Sequence, residues 1–107
     1  MRPFASLAAA VLSVTALVSA ANAQDIKRGE TLLARDCGRC HATGRTGDSP
    51  RSGVPAFRSL AKRYPIDALE EALGEGIMSG HPEMPEFRFD AADVGAIIAY
   101  LKSIQQP

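Results

Sequence analysis

The sequence predicts a small all-α domain, and three observations lead to that prediction. Apolar residues recur at the three- and four-residue spacing of a helix in "DIKRGETLLARDC" near the start and in "DVGAIIAYLKSI" near the end. No stretch alternates apolar and polar residues in the way that a half-buried strand does. Glycine, proline, serine and threonine are concentrated between the periodic segments, as is typical of loops.

The first 23 residues have the features of a secretory signal peptide. Arg2 is followed by a run from Pro3 to Ala23 without a charged residue, and Ala21 and Ala23 form the A-x-A pattern of a cleavage site. About 20 apolar residues can also span a bilayer, so an uncleaved membrane anchor is the alternative. Alanine and serine dilute the apolar run, which favours removal of residues 1–23 and a periplasmic protein without a membrane span.

The remaining chain, residues 24–107, has the length of one small domain. Removing 23 of the 107 residues leaves 84. A chain of that length buries only about 60–65% of the surface that it exposes when unfolded. Domains this small often depend on a disulfide, a metal or a cofactor for stability, so we expect the chain to contain such an aid.

The charges are balanced in number but separated along the chain. The sequence contains 12 basic and 12 acidic residues, which argues against nucleic-acid binding. Residues 27–63 contain nine basic and three acidic residues, a net charge of +6. Residues 64–107 contain two basic and eight acidic residues, a net charge of −6. We therefore expect a dipolar molecule whose field steers its encounter with a charged partner.

The segment from Asp25 to Cys37 predicts the first helix. Ile26, Gly29 and Leu33 lie on one face, and Asp25 is placed to cap the helix. A glycine inside a helix lowers its stability relative to alanine. Gly29 therefore marks either the close approach of another element or a tolerated surface position.

The middle of the chain predicts a loop followed by two short helices. The loop comprises residues 43–55, which are rich in glycine, serine and threonine and have no apolar period. A short helix in "AFRSLAKRY" would bury Phe57, Leu60 and Tyr64. A second helix begins at Pro65, has an apolar stripe and ends at Gly74.

The last part of the chain predicts a second loop and a terminal helix. The loop is "GIMSGHPEMPEFRF", which contains two prolines. Asp90 and Asp93 then start the helix. Five apolar residues form a continuous face on it: Val94, Ile97, Ile98, Leu101 and Ile104.

Two cysteines and a histidine lie together in "CGRCHATGR", at Cys37, Cys40 and His41. A redox-active disulfide needs the C-x-x-C spacing in a βαβ context, which this helical pattern does not provide. Zinc would need four ligands, and His81 is a distant candidate for the fourth. A structural disulfide between residues three apart would close too short a loop to stabilise much. These are the weaker interpretations of the motif.

The stronger interpretation is covalent haem, because C-x-x-C-H is the attachment signature of c-type haem. Each thiol adds across one of the two vinyl groups of the porphyrin. One helical turn between Cys37 and Cys40 places their sulfurs at the same separation as those vinyl groups. His41 is then carried beneath the ring, where a ring nitrogen can bind the iron. Export is consistent with this, because attachment occurs outside the cytoplasm in bacteria. The sequence therefore predicts one haem c, bound through two thioethers.

The opposite face of the iron needs a further ligand, and the candidates are Met78, His81 and Met84. A thioether sulfur suits iron that changes oxidation state, and it raises the reduction potential relative to a second imidazole. Met84 stands in "HPEMPEF" between Pro82 and Pro85, which restrict the backbone and preorganise the methionine. We therefore predict that Met84 is the ligand, that Met78 is a core residue and that His81 is a surface residue.

Taken together, these segments resemble a small bacterial class I cytochrome c, and the resemblance covers essentially all of residues 24–107. The matching pieces, in chain order, are Gly29, "CGRCH", "GVPAF", "GHPEMPEF" and "DVGAIIAYLKSI". The resemblance implies about three to five helices around one covalently bound haem. It also implies that the first and last helices cross at Gly29, near Ile97 and Tyr100.

The resemblance has further implications for the site and for the function. The Pro55 carbonyl would accept a hydrogen bond from the second ring nitrogen of His41 and so orient that ligand. The predicted function is that of a periplasmic one-electron carrier rather than an enzyme, because His41 and Met84 leave no vacant position on the iron. Its partners would be a donor and an acceptor protein, and it would work as a monomer or as a subunit of a redox complex.

Two alternatives to a free electron carrier stay open at this point. One is a haem subunit bound permanently to a periplasmic oxidoreductase, which would need a sizeable apolar docking patch. The other is a ligand-binding haem sensor, which would need Met84 to be absent from the iron or easily displaced. The sequence does not identify the redox partners.

Overall fold

The computed structural model describes residue 17 and the ranges 22–76 and 83–107. All regular structure in these residues is helical, and they contain no strand, which confirms the predicted all-α class. None of the helices in the described part of the chain has the length and apolar character needed to cross a bilayer. Most of the predicted signal peptide, residues 1–23, lies outside the described residues.

Helix α1 covers residues 22–37 of the described chain, which confirms the prediction of a helix there. The prediction that Asp25 caps it is wrong, because the backbone is already helical three residues earlier and Asp25 lies exposed within the helix. Ala23 and Gln24 are good helix formers, and no glycine or proline separates them from Asp25. The helix therefore continues through the capping signal.

Two 3-10 helices follow the first loop. Phe57–Lys62 forms the first one and buries Phe57 and Leu60, as the sequence predicted. The predicted burial of Tyr64 is wrong, because Tyr64 lies beyond the end of this helix and is exposed. Ile66–Ala68 forms the second one directly after Pro65. The turn at Ile66 leads into a short α-helix, so the predicted single helix after Pro65 is a 3-10 turn joined to an α-helical one.

Helix α2 covers Leu69–Glu75 and so ends one residue beyond Gly74, where the sequence predicted its end. The helix ends where Gly76 adopts a φ of 120°, a conformation that glycine tolerates and other residues rarely adopt. The side chains of Glu86 and Arg88 lie directly over Gly76, and a Cβ atom there would stand 3.1 Å from Arg88 Nε. Gly76 thus stops the helix and leaves room for a later segment of the chain.

Helix α3 covers Ala91–Ile104 and agrees closely with the prediction. Asp90 caps it, because its side chain accepts a hydrogen bond from the amide nitrogen of Asp93 at 2.8 Å. The predicted apolar face is confirmed, since each of its five members is buried: Val94, Ile97, Ile98, Leu101 and Ile104.

Helices α1 and α3 meet at Gly29, which is buried. A Cβ atom built on Gly29 would lie 2.7 Å from the carbonyl carbon of Ala96 and 2.8 Å from the Cβ atom of Tyr100. Two helix backbones come this close only where one of them lacks a side chain. Gly29 is therefore a close-approach glycine rather than a surface one, and its nearest neighbours are Ala96 and Tyr100 rather than Ile97 and Tyr100.

One apolar core joins these elements and fixes the position of the cysteine motif. Leu32 and Leu33 enter it from α1, and Phe57 enters it from the first 3-10 helix. Cys37, the last residue of α1, packs against the same core. The motif therefore begins at a point where α1 is anchored by tertiary contacts.

Candidate functional site

The residues from Cys37 to His41 continue α1 as one tight turn. The carbonyl oxygen of Cys37 accepts hydrogen bonds from the amide nitrogens of Cys40 at 3.2 Å and of His41 at 3.0 Å. Both cysteines are free and half-buried. The backbone thus places the two thiols and the imidazole within a single turn, which is the local structure that covalent attachment requires.

The surroundings of Cys37 do not suit thiol–disulfide chemistry. Burial of the side chain, together with the smaller effects of the neighbouring Asp36 and Cys40, raises the pKa of the Cys37 thiol to about 11. Redox-active thiols have pKa values below the ordinary value of about 8.5, because the thiolate is the reactive form. A thiol that stays protonated at neutral pH argues against the redox-disulfide interpretation.

The zinc interpretation also lacks support in the described part of the chain. Within residues 22–76 and 83–107, no three His, Cys, Asp or Glu side chains come together in a way that could hold a metal ion. Cys37, Cys40 and His41 therefore do not form a zinc half-site. His81, the remaining zinc candidate, lies outside the described residues.

The ring of His41 is fixed by a hydrogen bond and by an aromatic neighbour. Its Nδ1 atom lies 2.7 Å from the carbonyl oxygen of Pro55, and because a carbonyl only accepts, the proton is on Nδ1. The ring of Phe57 lies against it, with centroids 4.5 Å apart and planes inclined by 30°. With the proton on Nδ1, the lone pair of Nε2 is available to a metal.

The loop that carries Pro55 is bonded back to the motif. The amide nitrogen of Phe57 donates to the carbonyl of Ala42 at 3.0 Å, and that of Arg51 donates to the carbonyl of Cys40 at 3.3 Å. These two bonds bracket Pro55 between points that are tied to the motif. The structure thus brings Pro55 to His41 through backbone contacts rather than through a single side chain.

The C-terminal end of α3 supports the same region through side-chain hydrogen bonds that the sequence did not predict. The phenol of Tyr100 donates to the carbonyl of Thr43 at 2.6 Å. The amide of Gln105 donates to the carbonyl of Phe57 at 2.8 Å and accepts from the amide nitrogen of Ala61 at 2.8 Å. Gln105 therefore fixes the 3-10 helix whose first residue lies against His41.

Met84 lies in the irregular segment 83–90, and its side chain is half-buried. The far end of this segment is fixed, because the amide nitrogen of Phe89 donates to the carbonyl of Leu73 in α2 at 2.9 Å. Met78, the other candidate methionine, lies in the range 77–82, outside the described residues.

The near end of the Met84 segment is connected to the cysteine motif by an ion pair. The carboxylate of Glu83, next to Met84, pairs with the guanidinium of Arg51. Arg51 is the same residue whose amide nitrogen is bonded to the carbonyl of Cys40. Arg51 therefore connects the Met84 segment to the cysteine motif.

The donor set fits a covalently bound haem. Cys37 and Cys40 supply two free thiols within one turn, and His41 supplies an oriented imidazole nitrogen. Met84 supplies a half-buried soft sulfur on a segment that is joined to the motif. Two thiols, one imidazole and one thioether are the groups by which a c-type haem with two axial ligands is bound.

Comparisons with known proteins give a consistent result. A family model described as cytochrome c oxidase, cbb3-type, subunit III matches residues 24–101. The chain is 34% identical over 95 residues to a protein named cytochrome c-552 from Bradyrhizobium diazoefficiens, and the match covers 89% of each chain. It is 30% identical over 108 aligned positions to a protein named cytochrome c6 from Picosynechococcus sp., covering 94% of this chain and 92% of that relative. No solved structure gives a significant match.

Proposed function

Because the chain belongs to the family of c-type cytochromes, we propose that it is an exported one-electron carrier whose haem iron is bound by His41 and Met84. Members of this family bind haem c covalently and transfer electrons rather than catalyse a reaction. When bound, the haem iron supplies the one-electron couple between its ferrous and ferric states. The observation that carries the proposal is the fixed imidazole of His41, which follows the two free thiols within one turn.

The residues of the chain have separate roles in this proposal. Cys37 and Cys40 form the two thioethers that fix the haem to the end of α1. Pro55 holds the Nδ1 proton of His41, which selects the tautomer that can ligate and raises the basicity of Nε2. Phe57 restricts rotation of the imidazole through its ring contact. An imidazole fixed in this way reorganises little when the charge of the iron changes.

Two features support Met84 as the second axial ligand. Its side chain is half-buried although its segment has no regular structure. The segment is also fixed at both ends, by Glu83 to the attachment loop and by Phe89 to α2. A methionine on a segment fixed at both ends loses less conformational entropy when it binds than one on a free loop. A thioether ligand would also favour the ferrous state relative to an imidazole.

Spectra and potentials of three variants test this ligation. Met84→His should give a six-coordinate haem with two imidazole ligands and a lower reduction potential, because nitrogen favours ferric iron more than sulfur does. Met84→Ala should open the iron to cyanide and carbon monoxide. Both variants should lose the weak long-wavelength absorption band of a ferric–methionine bond.

Met78→Leu is the matched control and should keep that band. If Met78→Leu loses the band while Met84→Ala keeps it, the assignment of Met84 is wrong. Carbon monoxide that binds the unmodified ferrous protein readily would instead favour the ligand-binding sensor.

We also propose that residues 1–23 direct export to the periplasm and are then removed. The support is the uncharged run after Arg2 and the pattern of Ala21 and Ala23. The mass of the protein purified from the periplasm of a producing bacterium tests this. A mature chain should begin at Gln24, whereas a membrane-bound protein that retains Met1 would support an uncleaved anchor.

A second candidate function is a haem subunit of a larger oxidoreductase, and the description of the matching family model favours it. A permanent subunit needs an apolar docking surface. Among the described residues, the exposed large apolar side chains are Leu17 and Tyr64, and Leu17 belongs to the segment that we propose is removed. This favours a free carrier. Size-exclusion chromatography of the native protein from its own cells distinguishes the two, since a carrier should elute as a monomer.

A further inference from the structure

Arg51 connects the loop after the cysteine motif with the segment that contains Met84. Its amide nitrogen donates to the carbonyl of Cys40, and its own carbonyl accepts from the amide nitrogen of Val54 at 3.3 Å. Its guanidinium pairs with the carboxylate of Glu83, the residue that precedes Met84. The backbone of Arg51 is therefore fixed to the attachment motif, while its side chain reaches the segment of the proposed methionine ligand.

We propose that the ion pair between Arg51 and Glu83 positions Met84 and thereby strengthens the bond between the Met84 sulfur and the iron. The inference rests on the proposed ligation by Met84. In this role Arg51 and Glu83 are positioning residues, because they act on the iron only through Met84. Removing either one should free the near end of the segment and leave its far end bonded at Phe89.

Glu83 and Glu86 flank Met84, and the structure separates their roles. Glu83 pairs with Arg51, 32 positions earlier in the chain, whereas Glu86 pairs at 3.3 Å with Arg88 in its own segment. The first pair joins two elements, and the second joins neighbours. Glu86 is thus a matched control for Glu83, with the same charge and a similar distance in sequence from Met84.

The expected effect is small but measurable. The side chains of Arg51 and Glu83 are 45% and 68% exposed, and an exposed ion pair contributes only about 0.2–1 kcal/mol. If all of that contribution acts on the methionine bond, losing it should strengthen binding of a competing ligand by roughly 1.4- to fivefold. An effect of this size moves the midpoint of a titration without abolishing the methionine bond.

Imidazole titration of the ferric holoprotein tests the inference, with the long-wavelength methionine band as the signal. Arg51→Gln and Glu83→Gln should each keep the band without imidazole and lose it at a roughly 1.4- to fivefold lower imidazole concentration than the wild type. Glu86→Gln should titrate like the wild type. Arg51→Lys keeps the positive charge, so it should lose the band at nearly the same imidazole concentration as the wild type. The double variant of Arg51→Gln with Glu83→Gln should titrate like either single variant, since the pair is one interaction.

Three results would overturn the inference in distinguishable ways. If the wild type shows the band and Arg51→Gln and Glu83→Gln titrate like Glu86→Gln, the ion pair does not position Met84, and the ligation proposal stands. If the two single effects instead add in the double variant, the two residues do not act as one ion pair, and again only the ligation proposal stands. If the wild type lacks the band and binds imidazole as Met84→Ala does, then the ligation itself is wrong and the inference fails with it.

Discussion

Replacing Gly29 with alanine should destabilise the haem-loaded protein, although alanine is the better helix former. The new methyl group would lie 2.7 Å from the carbonyl carbon of Ala96 and 2.8 Å from the Cβ atom of Tyr100, closer than real Cβ atoms come to such neighbours. The gain in helix propensity is about 1 kcal/mol. Overpacking a close contact costs about 1–3 kcal/mol. Here one of the two contacts is with backbone that cannot rotate away, which places the cost in the upper part of that range, about 2–3 kcal/mol. We expect a net loss of about 1–2 kcal/mol.

Gly95 provides the matched control, because it lies within α3 and a Cβ atom there would meet nothing within 4 Å. Gly95→Ala should stabilise the protein by about 0.5–1 kcal/mol. In a domain of this size, 1 kcal/mol shifts the Tm by about 4–8 °C, so the two variants should melt on opposite sides of the wild type. Thermal unfolding followed by circular dichroism measures both. If Gly29→Ala melts as high as Gly95→Ala, then α1 and α3 do not meet at Gly29 as the structure places them.

Four other results are expected from the same structure. Acidified acetone should leave the colour on the protein, and Cys40→Ala should leave at most one thioether; colour in the solvent from correctly matured protein would contradict covalent attachment. The haem-free mature chain should show much less helix by circular dichroism than the holoprotein, because haem supplies a major share of a core this small, and equal helix with a cooperative melt in both would show otherwise. Tyr100→Phe should cost about 0.5–1.5 kcal/mol through the lost hydrogen bond to Thr43. Burial raises the pKa of Tyr100 above its ordinary value of about 10, so the stability tied to its protonated phenol is lost as the pH rises beyond that value. The difference in urea midpoint between wild type and Tyr100→Phe should therefore shrink above about pH 10, and a constant difference would count against this account. Reduction by small cationic and anionic reagents should respond oppositely to ionic strength, whereas rates indifferent to salt for both would mean that no field reaches the haem edge.

Local patterns predicted the elements whose ends are determined within a few residues. Helix α3 begins where Asp90 caps it, and its buried face follows from the spacing of its apolar residues. The loop at residues 43–55 and the burial of Phe57 and Leu60 follow in the same way from composition and spacing. Each of these features depends on residues that are neighbours in the sequence, so a single sequence contains the information.

Local patterns were wrong where two signals compete. Asp25 is a good capping residue, but the helix formers before it carry α1 past it. Gly74 and Gly76 are both plausible helix stops, and the later one is used. The choice of Gly76 depends on the side chains of Glu86 and Arg88, which cover it from a later segment. A pattern of neighbouring residues cannot predict that contact.

The same distinction between local patterns and tertiary contacts applies to the functional site. The C-x-x-C-H spacing predicts Cys37, Cys40 and His41 as haem-binding residues, because the chemistry of attachment fixes their order in the chain. The contribution of Gln105, which bonds to Phe57 from 48 positions away, was missed because a glutamine carries no signal of its tertiary partner. Arg51 was counted only as part of a basic stretch for the same reason.

The separation of charge along the chain has two effects in the folded molecule: ion pairs in direct contact and a long-range field. Two ion pairs join the positive segment 27–63 to the negative segment 64–107: Arg28 with Asp93 at 2.6 Å, next to the helix contact at Gly29, and Arg51 with Glu83, next to Met84. Other charges form no ion pair within the described residues: Arg39, Arg45, Asp48, Arg58, Lys62 and Arg63 in the positive segment and Glu70, Glu71, Glu75 and Asp90 in the negative one. These unpaired charges are the source of any field that reaches a partner. At about 0.1 M salt the Debye length is about 10 Å, so the long-range field is largely screened while pairs in direct contact are affected much less. Moderate salt should therefore weaken steering toward a redox partner before it loosens the contacts that join the two segments.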